Sequence, residues 1–239
     1  MSAQLERLAV LANNLANVTA AGYKADRPEF FQLLTSPRAA GSVSPTGSAA
    51  PPQELPGDVV THTDFSPGSL RETGNPLDVA IEGSGFFVVR TAAGVRLTRN
   101  GAFTRGTDGL LVTVDGAPVL GPGNGTIQLP EQGRIAIDEQ GQITVDGAPI
   151  SSLLVVDPPN PERLTKEGGT RFAAPADLAL PPAEKATVRQ GALEQSNVNP
   201  IATLVDMIDA LRVYEAAQRT ARGVDETLGR AVNEVGRPA

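Results

Sequence analysis

Apolar residues recur along this chain at two different periods, and the changes of period divide it into helix, β-rich middle and helix. At the N-terminus Leu5, Leu8, Ala12 and Leu15 follow a 3-4-3 spacing, with Leu11 and Val18 on a flanking row. That is the stripe of an amphipathic helix. It predicts a helix from Ser2 to Ala20, stopped at Gly22, a residue suited to a left-handed C-terminal position. From Val59 to Gly191 the period shortens. Leu77-Asp78-Val79-Ala80-Ile81 alternates with period two, and Phe86-Phe87-Val88-Val89 and Leu153-Leu154-Val155-Val156 are compact apolar runs. Val95-Arg96-Leu97, Leu110-Leu111-Val112, Ile135-Ala136-Ile137 and Ile143-Thr144-Val145 are further strand candidates. Asp108-Gly109, Asp115-Gly116, Gln140-Gly141 and Asp146-Gly147 punctuate them as hairpin turns do. Beyond Asn199-Pro200, an N-cap followed by a first-turn proline, Leu204, Met207, Leu211, Tyr214, Ala217, Ala221, Val224, Leu228, Ala231 and Val235 step by three or four residues. Their mean step is close to the ~3.5 of a coiled coil.

The fold class that follows is α+β: a central antiparallel β-rich domain, with N- and C-terminal helices pairing as a coiled-coil-like core. The expected organisation is residues 1–37 as N-terminal helix and extension, 38–58 as linker, 59–192 as the β-rich domain and 193–239 as the C-terminal helix. The linker is read from composition, since Arg38 to Pro56 is rich in Ser, Pro, Gly and Ala. A C-terminal seam of about five heptads cannot be satisfied alone in water. Its partner is either the β domain or another helix, and the reach of the linker favours the N-terminal helix and neighbouring subunits. Lengths do not match. Pro200 to Val235 spans roughly 50 Å as one helix and Ser2 to Ala20 about half that. Asn13, Asn14 and Asn17 cost helix stability. Their amides suit buried contacts that fix register between packed helices, or else form a solvent-facing polar stripe.

Composition removes several function classes. The net charge of −7 disfavours phosphate backbones. Aromatics at 4% with no Trp leave little for stacking on bases or sugars. The absence of Cys excludes disulfides, thiolate metal sites and Cys nucleophiles. No stretch approaches the roughly 20 apolar residues of a membrane helix, and Glu6 and Arg7 interrupt the first apolar stripe where a signal peptide would be continuous. Gly83-Ser84-Gly85-Phe86-Phe87 lacks the third glycine of a dinucleotide loop, and a strand follows where a helix should open. His62 is the single histidine, without a nucleophile elbow elsewhere. Asp138-Glu139 and Asp157 do not have calcium-loop spacing. No cofactor and no metal are expected, and no catalytic residue is singled out.

Three long motifs carry a resemblance. Leu11-Ala12-Asn13-Asn14-Leu15-Ala16-Asn17-Val18 followed by Gly22-Tyr23-Lys24, then Thr73-Gly74-Asn75-Pro76-Leu77-Asp78-Val79-Ala80-Ile81-Glu82-Gly83-Ser84-Gly85-Phe86-Phe87 with Thr98-Arg99-Asn100-Gly101-Ala102-Phe103, and finally Ser196-Asn197-Val198-Asn199-Pro200 with Met207-Ile208 and Tyr214-Glu215, resemble in order the signatures of the flagellar rod and hook proteins. Pro118-Val119-Leu120-Gly121 and Lys24-Ala25-Asp26 resemble the proximal-rod type, with the distal-rod type second. The resemblance implies a structural subunit of the bacterial flagellar basal-body rod, located in the periplasm-spanning part after export from the cytoplasm, and not an enzyme. It implies partners in other rod subunits and in the flagellar type III export apparatus, with no nucleic acid and no membrane insertion. The assembly interface it implies comprises Leu5, Leu8, Leu11, Asn13, Asn14, Leu15, Asn17, Val18, Asn197, Asn199, Leu204, Met207, Ile208, Leu211, Tyr214, Ala221 and Leu228. Its β-domain motif comprises Gly74, Asn75, Leu77, Asp78, Gly83, Gly85, Phe86 and Phe87. Family members usually begin about ten residues earlier, so a longer N-terminus is expected. A secreted β-domain enzyme or carbohydrate binder and a soluble assembly chaperone are the competing classes, and neither accounts for three motifs in order.

Overall fold

The computed structural model describes residues 2–30 and 59–235. The linker expected over 38–58 lies outside the described residues, as does the side chain of Ala221. The elements are helix α1 (Ser2–Ala16), strands β1 (Asp26–Phe30), β2 (Val59–Thr63), β3 (Leu70–Glu72), β4 (Val79–Glu82), β5 (Phe86–Thr91), β6 (Gly94–Thr98), β7 (Phe103–Arg105), β8 (Leu111–Thr113), β9 (Ile135–Ile137), β10 (Gln142–Val145), β11 (Ala148–Ser152), β12 (Val155–Val156), β13 (Thr165–Lys166), β14 (Arg171–Ala173), β15 (Thr187–Gln190) and β16 (Ala192–Glu194), and helix α2 (Pro200–Val235). Two compact units result. One comprises the described residues within Met1–Ala12, Asp26–His62 and Leu204–Ala239, the other Asn13–Ala25 and Thr63–Thr203.

In the second unit a five-stranded sheet runs in the order β12-β5-β6-β14-β13, with every neighbour antiparallel. Beside it stand the three-stranded sheet β11-β10-β9 and the pairs β7-β8, β15-β4 and β16-β3. The apolar run of β5 explains the layering. Alternate side chains of a strand point to opposite faces, and here both faces are covered. Phe87 and Val89 enter one core with Val79, Ile81, Phe103, Leu111, Ile127 and Ile143, while Phe86 and Val88 enter another with Leu97, Leu120, Val156 and Phe172. Phe87 meets Phe103 edge-on at 5.1 Å, and Phe86 meets Phe172 likewise at 5.7 Å. Asp146 and Gly147 both take positive φ (52° and 84°) between the paired residues Val145 and Ala148. That is the two-residue hairpin turn expected of an Asp-Gly dipeptide. The last two strands return to the first. Thr187 to Gln190 pair with Val79 to Glu82, and Ala192 to Glu194 pair with Leu70 to Glu72. This closure carries the entry to α2 back beside the start of the β region.

The helices depart from the sequence pattern in two respects. First, α1 stops at Ala16 rather than Ala20. Asn17 N–H is shared between Asn13 O and Asn14 O, and Val18 N–H donates to Leu15 O, so the last turn tightens. The Asn17 amide also donates to Asn13 O at 2.8 Å, a competition with the backbone ladder typical of Asn. Val18, expected on the helix, lies in the turn that follows. Second, the covered faces are rotated from the predicted stripes. On α1 the buried positions are Leu11 and Asn14, while Leu5 is 50% exposed. On α2 the covered row is Thr203, Met207, Ala210, Tyr214 and Ala217, with Ala210 fully buried. The 36-residue α2 otherwise matches its pattern. Asn199 caps it, its Oδ1 accepting from Ile201 N–H and Ala202 N–H at 3.1 Å each.

Candidate functional site: a buried junction between Gly22–Ala25 and the entry to α2

Within the β-rich unit, four stretches distant in sequence meet around one carboxylate. Glu194 ends β16, 1% exposed. Its Oε1 accepts from Lys24 Nζ at 2.6 Å and from Gly68 N–H at 2.9 Å. Its Oε2 lies 3.3 Å from Arg99 Nη1. Lys24 also donates to Ser66 O at 2.7 Å, and Arg99 donates to Ile81 O and, at 2.7 Å, to Gly83 O. Lys24, Arg99 and Glu194 are all buried, so two cations share one acidic partner. Burial pushes both Lys24 and Arg99 below their ordinary values, against the attraction of Glu194. The lysine therefore gives up its proton in the folded chain before it does so in the unfolded one. Its contribution to stability rises with pH across the window between that lowered value and 10.5. Lys24→Met is expected to abolish this rise, measured as urea midpoints between about pH 8 and the ordinary lysine range.

The backbone is held as closely as the charges. Gly22 N–H donates to Glu194 O at 2.8 Å, and Asn197 N–H donates to Tyr23 O. Ala25 N–H donates to Asn197 Oδ1 at 2.7 Å, while Asn197 Nδ2 donates to Asp64 O and Ser66 O. Lys166 Nζ donates to Lys24 O at 2.6 Å and sits 3.8 Å from the Tyr23 ring centroid, a cation–π contact. The buried Tyr23 hydroxyl donates to Asn13 Oδ1 at 2.7 Å and lies 3.1 Å from Asn14 Oδ1. The amides of Asn13, Asn14 and Asn17 thus act on the turn after α1. At Gly22, φ is +68° and an added Cβ would fall 2.3 Å from Asn100 N. Gly22→Ala is accordingly expected to destabilise the unit by more than the ~1 kcal/mol of backbone conformation alone, read from the midpoint of chemical unfolding.

The residues singled out from sequence divide by place. Asn197 and Asn199 lie at the junction and at the α2 cap. Phe86, Phe87 and partly buried Leu77 are core. Asn75 donates to Asp78 Oδ1 at 3.0 Å and accepts from Leu77 N–H, shaping the turn before β4. Gly83 presents its carbonyl to Arg99. Gly85 has φ +130° and close neighbours in Val155 and Ala183, and Gly74 has φ +72° in open space. On the helices, Leu8 and Leu15 are half-buried on α1, and Met207 and Tyr214 on α2. Leu204, Ile208, Leu211 and Leu228 of α2 are exposed. Lys24, Arg99 and Glu194 were not singled out. The signal available was a charge set among small and apolar residues in each segment, as in Gly22-Tyr23-Lys24-Ala25 and Ala192-Leu193-Glu194.

Elsewhere the surface shows shallow clefts. One of about 420 Å³ is lined by Glu82, Glu139, Thr187, Val188 and Arg189, where Arg189 is already paired with Glu82 and Glu72. His62 is exposed on β2. No cluster of His, Asp and Glu able to hold a metal occurs among the described residues, and no described helix is long and apolar enough to cross a membrane.

Known proteins sharing these features fall in one group. Residues 1–24 match the family model described as flagella basal body rod protein, residues 80–145 the flagellar hook protein FlgE/F/G D1 domain, and residues 189–234 the flagellar basal body rod FlgEFG protein C-terminal. The flagellar basal-body rod protein FlgF of Caulobacter vibrioides is 30% identical over 231 residues, 96% of this chain and 92% of that protein. FlgG of Agrobacterium fabrum is 34% identical over 246 residues (95% and 92%), and FlgF of Salmonella typhimurium 34% over 253 residues (96% and 92%). Lys24 falls in the first matched segment, Arg99 in the second and Glu194 in the third, so the junction joins all three. The chain belongs to the flagellar basal-body rod protein family, as a structural component of the flagellar basal body and not an enzyme.

Proposed function

We propose that this chain is a subunit of the proximal rod, exported unfolded by the flagellar type III apparatus and polymerising through its terminal helices with other rod subunits. The observation that carries this is an uncovered apolar row on α2. Ile201, Leu204, Ile208 and Leu211 follow a 3-4-3 spacing and are 75%, 42%, 48% and 41% exposed. The row lies next to the covered row through Ala210. A helix with two apolar rows and cover on one has a second partner to find. Covering that row contributes about 25 cal/mol per Å² of apolar surface, against ~1–2 kcal/mol for each backbone residue that becomes ordered. Assembly therefore requires several neighbours to act together.

In this reading residues 1–37 and 193–239 supply the assembly core, where α1 and α2 pair with each other and with neighbouring copies. Residues 38–58 act as linker, and 59–192 form the outward-facing β domain, with residues 13–25 built into it. The interface comprises Leu5, Leu8, Leu11 and Leu15 of α1, and Leu204, Met207, Ile208, Leu211, Tyr214, Ala221 and Leu228 of α2. The family's FlgF relatives, with Pro118-Val119-Leu120-Gly121 and Lys24-Ala25-Asp26 in the sequence, support the proximal rod over the distal one.

The chain has no cysteine, so cross-linking through introduced ones is unambiguous. Ile208→Cys with Leu5→Cys, expressed in a strain lacking the native protein, is expected to give disulfide-linked species larger than the monomer in purified basal bodies. Basal bodies that contain the variant but yield only monomer would exclude helix-mediated packing.

A further inference from the structure

We infer that the β-rich unit is a peptide receptor whose ligand is this chain's own Gly22-Tyr23-Lys24-Ala25 segment, bound in the single chain before any assembly. Each of the four residues is met by groups far away in sequence. Gly22 is read by shape, its missing Cβ leaving room for the Arg99–Asn100 backbone, and its N–H is taken by Glu194 O. Tyr23 O accepts from Asn197 N–H, and its ring lies under Lys166. Lys24 inserts a buried ammonium between Glu194 Oε1 and Ser66 O, while its carbonyl accepts from Lys166. Ala25 has both backbone groups engaged, N–H to Asn197 Oδ1 and O to Asp64 N–H. Main-chain pairing that gives affinity, with one side-chain pocket that gives specificity, is how extended peptides are recognised. The pocket asks for a cation on a long stem after a small residue and an aromatic one.

The groove is built from residues 64–68, 98–100, 166 and 194–197, all C-terminal to β1. The ligand reaches it by a long stretch of chain. A cut in that stretch therefore leaves the N-terminal fragment attached to the rest through non-covalent contacts alone. Lys24 and Glu194 make this attachment depend on a buried charge pair, which fails if either partner is absent.

The test uses the full chain with a protease recognition sequence inserted between Arg38 and Pro56. After cleavage the fragment is expected to co-elute with the remainder in size exclusion and to appear with it in native mass spectrometry. An excess of synthetic peptide spanning residues 17–28, which carries none of α1, is expected to displace it. The same peptide with Lys24→Met is expected to be at least about tenfold less effective, the scale of one lost charge-assisted hydrogen bond. Both peptides act on the unchanged protein, so no variant has to fold. Release of the fragment on cleavage, with the remainder still cooperatively folded, would overturn the inference. So would retention that the two peptides disturb equally, since the fragment would then be held through other contacts.

Discussion

Replacing Glu194 by Gln is expected to lower the unfolding free energy of the β-rich unit by about 3–5 kcal/mol, the usual cost of breaking a buried charge pair by removing one partner. Gln retains an acceptor for Gly68 N–H, so the loss reports on charge. Without the carboxylate, Lys24 and Arg99 face one another in the interior with no counter-ion in direct contact. Lys24→Met should cost less, because Glu194 keeps Arg99 and the desolvation that already pushes the lysine down is removed. Urea unfolding followed by far-UV circular dichroism suits a chain without Trp. The order of midpoints, wild type above Lys24→Met above Glu194→Gln, is the diagnostic result. A Glu194→Gln midpoint equal to wild type would mean that the junction does not depend on its charge.

The opposite pattern, lost assembly with an unchanged monomer, is expected from Leu204→Glu combined with Leu211→Glu. Both side chains are more than 40% exposed, and exposed helix positions tolerate Glu within about 0.5 kcal/mol. Buried between subunits, two carboxylates without partners cost several kcal/mol each. A strain relying on this variant should lose swimming on soft agar, and its basal bodies should lack the protein, while the thermal midpoint of the purified chain stays at the wild-type value. Glu215→Gln, on the exposed polar side of α2, is the control and should swim normally. Normal motility of the double variant would show that this row faces water in the rod.

These predictions draw on two kinds of information that the sequence carries unequally. Period and turn chemistry are local, so they survive being read alone. The 36-residue α2, its Asn199 cap, the Asp146-Gly147 turn and the doubly buried run of β5 follow from neighbouring residues and hold whatever surrounds them. The three ordered motifs likewise sufficed for the family. Where two local tendencies compete, the three-dimensional context chose. The apolar stripe of the N-terminal helix runs on to Val18, but Asn17 and Asn13 bond to the backbone and to Tyr23, and the helix ends at Ala16. The direction each helix faces was also undecided by spacing, since Leu5 and Leu11 serve equally well as the centre of a stripe and only packing buries Leu11. The junction was the least legible part. Lys24 and Glu194 stand 170 residues apart, and no local rule joins them. The return of β15 and β16 to β4 and β3 carries Glu194 back to the start of the β region, where Lys24 is held. A charge that reads as surface in the sequence becomes interior only when the fold removes its water and supplies its partner.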